Sequence, residues 1–363
     1  MKSKTARRLH LWFSVPVGLI ITLICLSGAV LVFERDLGTR HQSSVQPLGT
    51  PALPLSVILE AARASAPEGV DITGVTVYPD PEKAYKVSLS KPPMAAIWVN
   101  QYTGEVIGNY SRAGIFKLAS SAHRRIFDKS KTAGNTRGTG RLIVGISTLA
   151  LLVILITGLI LWWPRDRAKL RKRFSMPLHK GPKAFWHAVH VNLGFFITAI
   201  LLVCAVTGLT YSFPWFRSGF YSTFGAELPK SSRNTAKAEN LTAWDSAFAV
   251  VSAQNSGKEI RFYQGKADVV LGGWGNQQAT DTYRFDTETG TITDLTPYAT
   301  KDRATKIKGW IYSLHSGAWG GLFSKILYCL AMIIGASLPL TGYYLWVVRL
   351  RKKKHRTDAK TTV

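Results

Sequence analysis

The sequence predicts an α-helical membrane protein: a four-span bundle built by internal duplication as parallel repeats, carrying two small α+β extracytoplasmic modules. Three observations predict it. Four apolar runs, about Leu11–Phe33, Leu142–Trp163, Ala188–Phe213 and Ile326–Val348, are each long enough for a ~30 Å hydrocarbon core at a rise of ~1.5 Å per helical residue. A spacing recurs: His10 stands 18 positions before Gly28 of a Ser27-Gly28 pair, and His190 stands 18 before Gly208 of a Thr207-Gly208 pair. The two remaining runs close alike, in Thr157-Gly158-Leu-Ile-Leu-Trp162 and Thr341-Gly342-Tyr-Tyr-Leu-Trp346, and each follows a histidine at a distance, His123 and His315.

Composition agrees with a mixture of spans and soluble segments. The 363 residues are 46% hydrophobic, yet the mean hydropathy is only +0.06, as expected when membrane helices are averaged with polar modules. The net charge of +25 is gathered beside the runs: four Lys/Arg in residues 2–8, eight from Arg165 to Lys183, and six from Arg349 to Arg356. By the positive-inside rule these segments are cytoplasmic, so both termini lie inside and the connections of about 34–141 and 214–325 lie outside. Neither connection carries a basic stripe interleaved with aromatics, which argues against nucleic acid. The first run is too long for a signal peptide and lacks its small-residue cleavage site, so it reads as a retained span. Cys25, Cys204 and Cys329 all fall within spans, which implies small core residues and no disulfide framework.

In chain order, span 1 occupies 1–34 with its cytoplasmic start. The first module and the segment before span 2 fill 35–140. Within it Pro54-Leu-Ser-Val-Ile-Leu-Glu-Ala-Ala reads as a short amphipathic helix capped by Ser56. Strands follow at Ile72–Tyr78, Ala84–Ser90 and Ala96–Asn100, and a turn leads to a last strand in Tyr102-Thr-Gly-Glu-Val-Ile. Span 2 (141–164), a basic loop (165–184) and span 3 (185–214) come next. The second module (215–323) repeats the plan: a helix from Leu241 capped by Thr242, then strands near Ile260–Tyr263, Asp268–Leu271 and Thr282–Phe285. Asp286-x-x-Thr289-Gly290 matches Asn100-x-x-Thr103-Gly104 in position. Span 4 (324–348) and a basic tail (349–363) close the chain.

Duplication has a geometric consequence. Spans 1 and 3 start on the same side, so a pseudo-twofold axis along the membrane normal relates the halves. His10 then faces His190 near the cytoplasmic side, and His123 faces His315 near the outer side. Facing histidines on different helices, at two depths, are what two bis-histidine haem sites require. The competing reading of any one of them is a polar residue at the membrane boundary. That reading holds for His41, His179 and His355, which sit in polar connectors without repeat partners. His187 shares a helix face with His190 and is the alternate ligand; the 18-residue register favours His190. The outer pair is less well registered, His123 standing 35 positions before Gly158 and His315 27 before Gly342, and a loop at Lys129–Gly138 absorbs the extra residues. Metal transport, a rival use of paired histidines, wants acidic or thiol partners that the spans lack apart from the scattered cysteines.

These motifs carry a family resemblance. Leu9-His10, His190-x-x-x-Gly194, Leu314-His315 and the Thr-Gly-x-x-Leu-Trp endings, spread over nearly the whole chain, resemble the PepSY-associated transmembrane (PepSY-TM) family, with four spans and two PepSY-like periplasmic modules. Some members look like dihaem inner-membrane reductases of ferric siderophores. The resemblance implies two haem b groups, one on His10 and His190 toward the cytoplasm and one on His123 and His315 toward the periplasm. It also implies a ferric siderophore as substrate and iron uptake as the purpose. Arg124 and Arg125 are then propionate partners or plain surface arginines; Trp310, Tyr312 and Trp319 form an interfacial belt or line a docking surface. No Gly-rich dinucleotide fingerprint follows a strand, so the expected electron donor is a cytoplasmic reductase or membrane quinol. The alternatives are a haem-free PepSY-type protein that binds a partner, as a protease regulator or transporter accessory, and dihaem transfer to another periplasmic acceptor.

Overall fold

The computed structural model describes residues 2–38, 43–92, 95–128, 138–164, 181–229 and 236–361. Two compact units emerge. One comprises Met1–Phe33, Gly114–Phe220 and Leu314–Val363; the other comprises Glu34–Ala113 and Tyr221–Ser313.

In the helical unit, α1 (Lys2–Leu31), α5 (Thr139–Trp162), α6 (Pro182–Ser212) and α10 (Gly321–Thr361) supply the long elements. Each contains a stretch long and apolar enough to cross a membrane: Lys4–Leu31, Thr139–Trp162, Pro182–Ser212 and Ala318–Arg351. Their outward faces settle what solvent they suit. Leu19, Phe196 and Ile333 are 65%, 61% and 50% exposed, an apolar exterior that belongs in lipid rather than water. This is the architecture of a membrane protein. The helices form a ring in which α1 and α6 each touch α5 and α10, so α1 and α6 face each other diagonally. Contacts between neighbours are polar and close: Thr22 Oγ1 donates to Ala336 O at 3.0 Å and Tyr343 Oη to Val15 O at 2.6 Å, while Gly18 leaves room for the Tyr343 ring. A layer of Ile21, Cys25, Leu155, Leu201, Met332 and Ala336 fills the centre. As expected, Cys25, Cys204 and Cys329 are free and lie in the long helices. The fourth long helix runs beyond the expected Val348, because the basic residues after it continue the helix instead of ending it.

Shorter helices pack beside the long ones in this unit. α4 (Gly114–Arg125) turns back through Ile126 and Phe127, both at positive φ. Gly140, at the start of α5, packs against the Arg125 carbonyl, where a Cβ has no space. α9 (Arg303–His315) contributes its last residues, Leu314 and His315, and then reverses at Gly317 (φ +68°), which lies under the Tyr328 ring.

The second unit corrects the expectation of two separate modules. Among the described residues the eight strands form one antiparallel sheet in the order β4-β3-β2-β1-β5-β6-β7-β8. The first four are Ile72–Val77, Tyr85–Leu89, Ala96–Val99 and Val106–Asn109; the second four are Ile260–Tyr263, Lys266–Val270, Thr280–Phe285 and Ile292–Thr296. The join is β1 against β5, with Gly74 opposite Tyr263 and Val77 opposite Ile260. Neither set of four leaves its inner edge unpaired, which removes two exposed edges at once. α3 (Leu55–Ser65) and α8 (Leu241–Gln254) cover one face, burying Leu55, Ile58, Trp244 and Val251 against Val75, Val87, Phe262 and Val269. α2 (Glu34–Leu37) and α7 (Pro214–Ser222) are short connectors.

Local chemistry matches expectation at the turns and differs at the caps. Gly104 N donates to Asn100 O and Gly290 N to Asp286 O, both at 2.9 Å, with both glycines at positive φ. Ser56 is not a cap: α3 starts at Leu55 with Pro54 in the cap position, and the Ser56 amide donates to Asp245 Oδ1 at 3.0 Å, tying α3 to α8. Thr242 is not one either, since the cap position of α8 is Asn240 in the left-handed region, its side chain donating to Glu288 O. In both helices tertiary contact overrides the local signal.

Candidate functional site

The helical unit brings four of the expected histidines together as two facing pairs. His10 of α1 meets His190 of α6 across the ring, with ring centroids 6.4 Å apart and planes at 83°. His123 of α4 meets His315 of α9, with centroids 6.1 Å apart and planes at 63°. Two imidazoles on opposite sides of one metal, each bonded at ~2.0 Å with the ring centre ~1 Å behind its donor nitrogen, have centres about 6 Å apart. Both pairs stand at that distance. All four rings are half-buried.

Nδ1 is the engaged nitrogen in every ring. His10 Nδ1 lies 3.1 Å from Ile154 O and 3.2 Å from Thr157 Oγ1. His123 Nδ1 lies 2.9 Å from Ile24 O and 3.4 Å from Ser27 Oγ. His190 Nδ1 is 2.9 Å from Thr341 Oγ1, and the ring also meets the Leu338 carbonyl. His315 Nδ1 is 3.1 Å from Cys204 O and 3.0 Å from Thr207 Oγ1. That leaves Nε2 of each ring for its partner across the pair.

A cavity of about 1280 Å³ opens around His10 and His190. Its walls include Leu155, Phe195, Leu338 and Trp346, together with Gly18, Gly158, Gly194 and Gly342. Trp162 stacks on Phe195 with ring centroids 3.6 Å apart. Three exposed cations, Arg7, Lys183 and Arg349, line the same cavity. A mainly apolar cavity lined by glycines, paired imidazoles and exposed cations fits a planar macrocycle that carries carboxylates.

The second pair sits on the short helices, not on the spanning ones. Arg124 and Arg125 follow His123 in the last turn of α4 and are exposed. His187, the alternate ligand, also lines the cavity but is exposed, and it is His190 that faces His10. Three residues of helix place His187 one turn along, toward the helix start. His41 and His179 lie outside the described residues, as does the side chain of His355. Trp310 is 41% exposed; Trp310 and Tyr312 fall in the sheet unit and Trp319 in the helical unit.

Sequence reasoning missed two features. Arg7, Lys183 and Arg349 stood out only as orienting charges, and nothing in their spacing shows that one cavity gathers them. The Ser/Thr-Gly pairs stood out as markers of the repeat, yet they are where the four histidines dock. The family model of the PepSY-associated TM region matches residues 7–349. No curated protein matches the chain.

Proposed function

The chain belongs to the PepSY-associated TM family, and from that premise we propose that it is a two-haem membrane oxidoreductase. It carries electrons across the bacterial inner membrane and reduces a ferric siderophore on the periplasmic side, releasing Fe(II) for uptake. The observation that carries this reading is the separation within the two histidine pairs, 6.4 and 6.1 Å between ring centres. Among the described residues no group of three His, Cys, Asp or Glu converges. Two imidazoles alone suit a metal whose other positions are filled by a macrocycle, and suit a bare ion poorly.

In this reading His10 and His190 hold one haem b near the cytoplasmic face, and His123 and His315 hold the other near the periplasmic face. Arg7, Lys183 and Arg349 provide positive charge for carboxylates at the first site, as do Arg124 and Arg125 at the second. A haem iron held there supplies one-electron chemistry, alternating between ferric and ferrous. The protein's part is placement. With two histidines to hold each haem, the sites would suit electron transfer rather than the binding of small ligands. Seventeen residues separate His10 from Ser27, the residue at the level of His123, which is about 25 Å of helix. The apolar layer around Cys25 and Met332 keeps water out of that interval. The ferric chelate is substrate: its hard oxygen donors hold Fe(III) far better than Fe(II), so one electron loosens the metal.

We also read the halves as a duplication with both termini cytoplasmic. The equal 18-residue spacings, the strand order that mirrors about β1–β5 and the matched Asn100 and Asp286 turns support it. The electron donor is membrane quinol or a cytoplasmic reductase.

The test is the reduced-minus-oxidised spectrum of the detergent-purified protein, with haem counted by pyridine haemochrome. Two low-spin b haems per chain are expected. A folded sample, made with ample haem, that contains none overturns the reading and leaves partner binding by a haem-free protein in its place.

A further inference from the structure

We propose that the four Ser/Thr-Gly pairs are imidazole clamps: each fixes one histidine as its Nδ1–H tautomer, aims Nε2 across the pair, and sets how strongly that nitrogen donates to a metal. The inference rests on the haem reading only for its last part. The argument begins with the hydroxyl protons. Thr157 Oγ1 donates to Val153 O at 2.6 Å, Thr207 Oγ1 to Val203 O at 2.6 Å, and Ser27 Oγ to Leu23 O at 2.7 Å. Thr341 Oγ1 donates to Leu338 O at 2.9 Å and Ser337 O at 3.2 Å. Each hydroxyl has therefore spent its proton on its own helix and offers the histidine only a lone pair.

The second partner of each ring is a backbone carbonyl three residues before the Ser or Thr: Ile24, Ile154, Cys204 and Leu338. A carbonyl too is only an acceptor. Nδ1 thus meets two acceptors in the His10, His123 and His315 clamps and the Thr341 hydroxyl in the His190 clamp, and a neutral imidazole satisfies them only by carrying its hydrogen there. Nε2 keeps the lone pair. A hydrogen bond from the distal N–H to a carbonyl also raises the basicity of the ligating nitrogen, which favours the ferric state and lowers the reduction potential.

The glycine completes the clamp by clearance. A Cβ at Gly28, Gly158, Gly208 or Gly342 would stand 3.2, 3.5, 3.1 or 3.4 Å from Cε1 of His123, His10, His315 or His190. Each ring lies flush against a helix that has no side chain at that point. The clamps also cross-link the fold: His10 pins α1 to α5, His190 pins α6 to α10, His123 pins α4 to α1, and His315 pins α9 to α6.

The hydroxyls are positioning residues, so the test reads tautomer and potential. Full-length protein with ¹⁵N-labelled histidine, in lipid nanodiscs and without added haem, is expected to show Nδ1–H rings at His10, His123, His190 and His315, and Thr207→Val, which leaves the Cys204 carbonyl in place, is expected to shift the His315 nitrogen signals alone. With haem bound, Thr207→Val is expected to raise one midpoint potential and shift the low-spin g values of that haem alone, with ~10-fold weaker haem retention; Thr207→Ser restores all three. Nε2–H tautomers at His10, His123, His190 and His315 in the haem-free protein overturn the proposal, as do an unchanged potential and g values in a Thr207→Val protein that holds both haems. A protein that never takes haem yet shows four Nδ1–H rings upholds the clamps and removes the haem reading; the two ideas fail separately.

Discussion

The two histidine pairs are built alike at the imidazole and differently at the backbone. His10 and His190 ride on α1 and α6, helices of 30 and 31 residues, so helix periodicity fixes where each ring points. His123 and His315 end helices of 12 and 13 residues, and turns set their positions. One turn is held by Gly140 on the Arg125 carbonyl, the other by Gly317 beneath Tyr328. Clearance differs in the same sense. The glycines against His10 and His190 leave ordinary van der Waals space for a Cβ, at 3.5 and 3.4 Å, while those against His123 and His315 leave 3.2 and 3.1 Å. A ring carried by a long helix tolerates a looser clamp; a ring carried by a short one is pressed into place.

On the two-haem proposal, the sharpest way to break this comparison is to remove one histidine from each pair. His315→Ala is expected to eliminate one haem and leave the other at full occupancy, and His10→Ala to do the converse, read as haem per chain falling from two to one. If either change empties both sites, the pairs are not separate centres. Next comes clearance. Gly208→Ala pushes a methyl into His315, an overpacking cost of about 1–3 kcal/mol, and is expected to broaden or shift the spectrum of its haem. Gly158→Ala, with more space, is expected to leave the His10 haem unchanged. Equal effects of the two would show that the difference in clearance has no consequence. The smallest effect is expected at the cations. Arg349→Gln is expected to weaken retention of the His10–His190 haem several-fold, measured by transfer to apomyoglobin, with the other haem unaffected. Surface charges act weakly when screened, so higher salt is expected to narrow the gap between variant and parent.

Much of this was legible in the residues. Spans could be read because a bilayer demands a length and an apolar content that local sequence must supply. The preference for His190 over His187 followed from the 18-residue register shared with His10, because both sit on uninterrupted helix where spacing translates into position. Register failed for His123 and His315, since reversals at Ile126 and Gly317 intervene and turn geometry has no fixed period. Strand positions came from alternation, as at Tyr85–Leu89, whereas the pairing of β1 with β5 joins edges that no local pattern labels as partners. Ser56 and Thr242 misled for a related reason: each suits a cap chemically, but Asp245 and Glu288, distant in sequence, decide where the helix begins.

The seam between β1 and β5 has a consequence for how the chain is made. Val77 closes the first strand and Ile260 opens its partner, with 182 residues between them. At ordinary synthesis rates the ribosome needs roughly 10–40 s to supply them. Through that interval the first four strands wait with one lateral border open, and two more membrane helices must be threaded before the matching border emerges. Nascent protein stalled between those points would present a sticky intermediate to any chaperone it meets. Completion of the sheet therefore waits on delivery of the second half of the polypeptide.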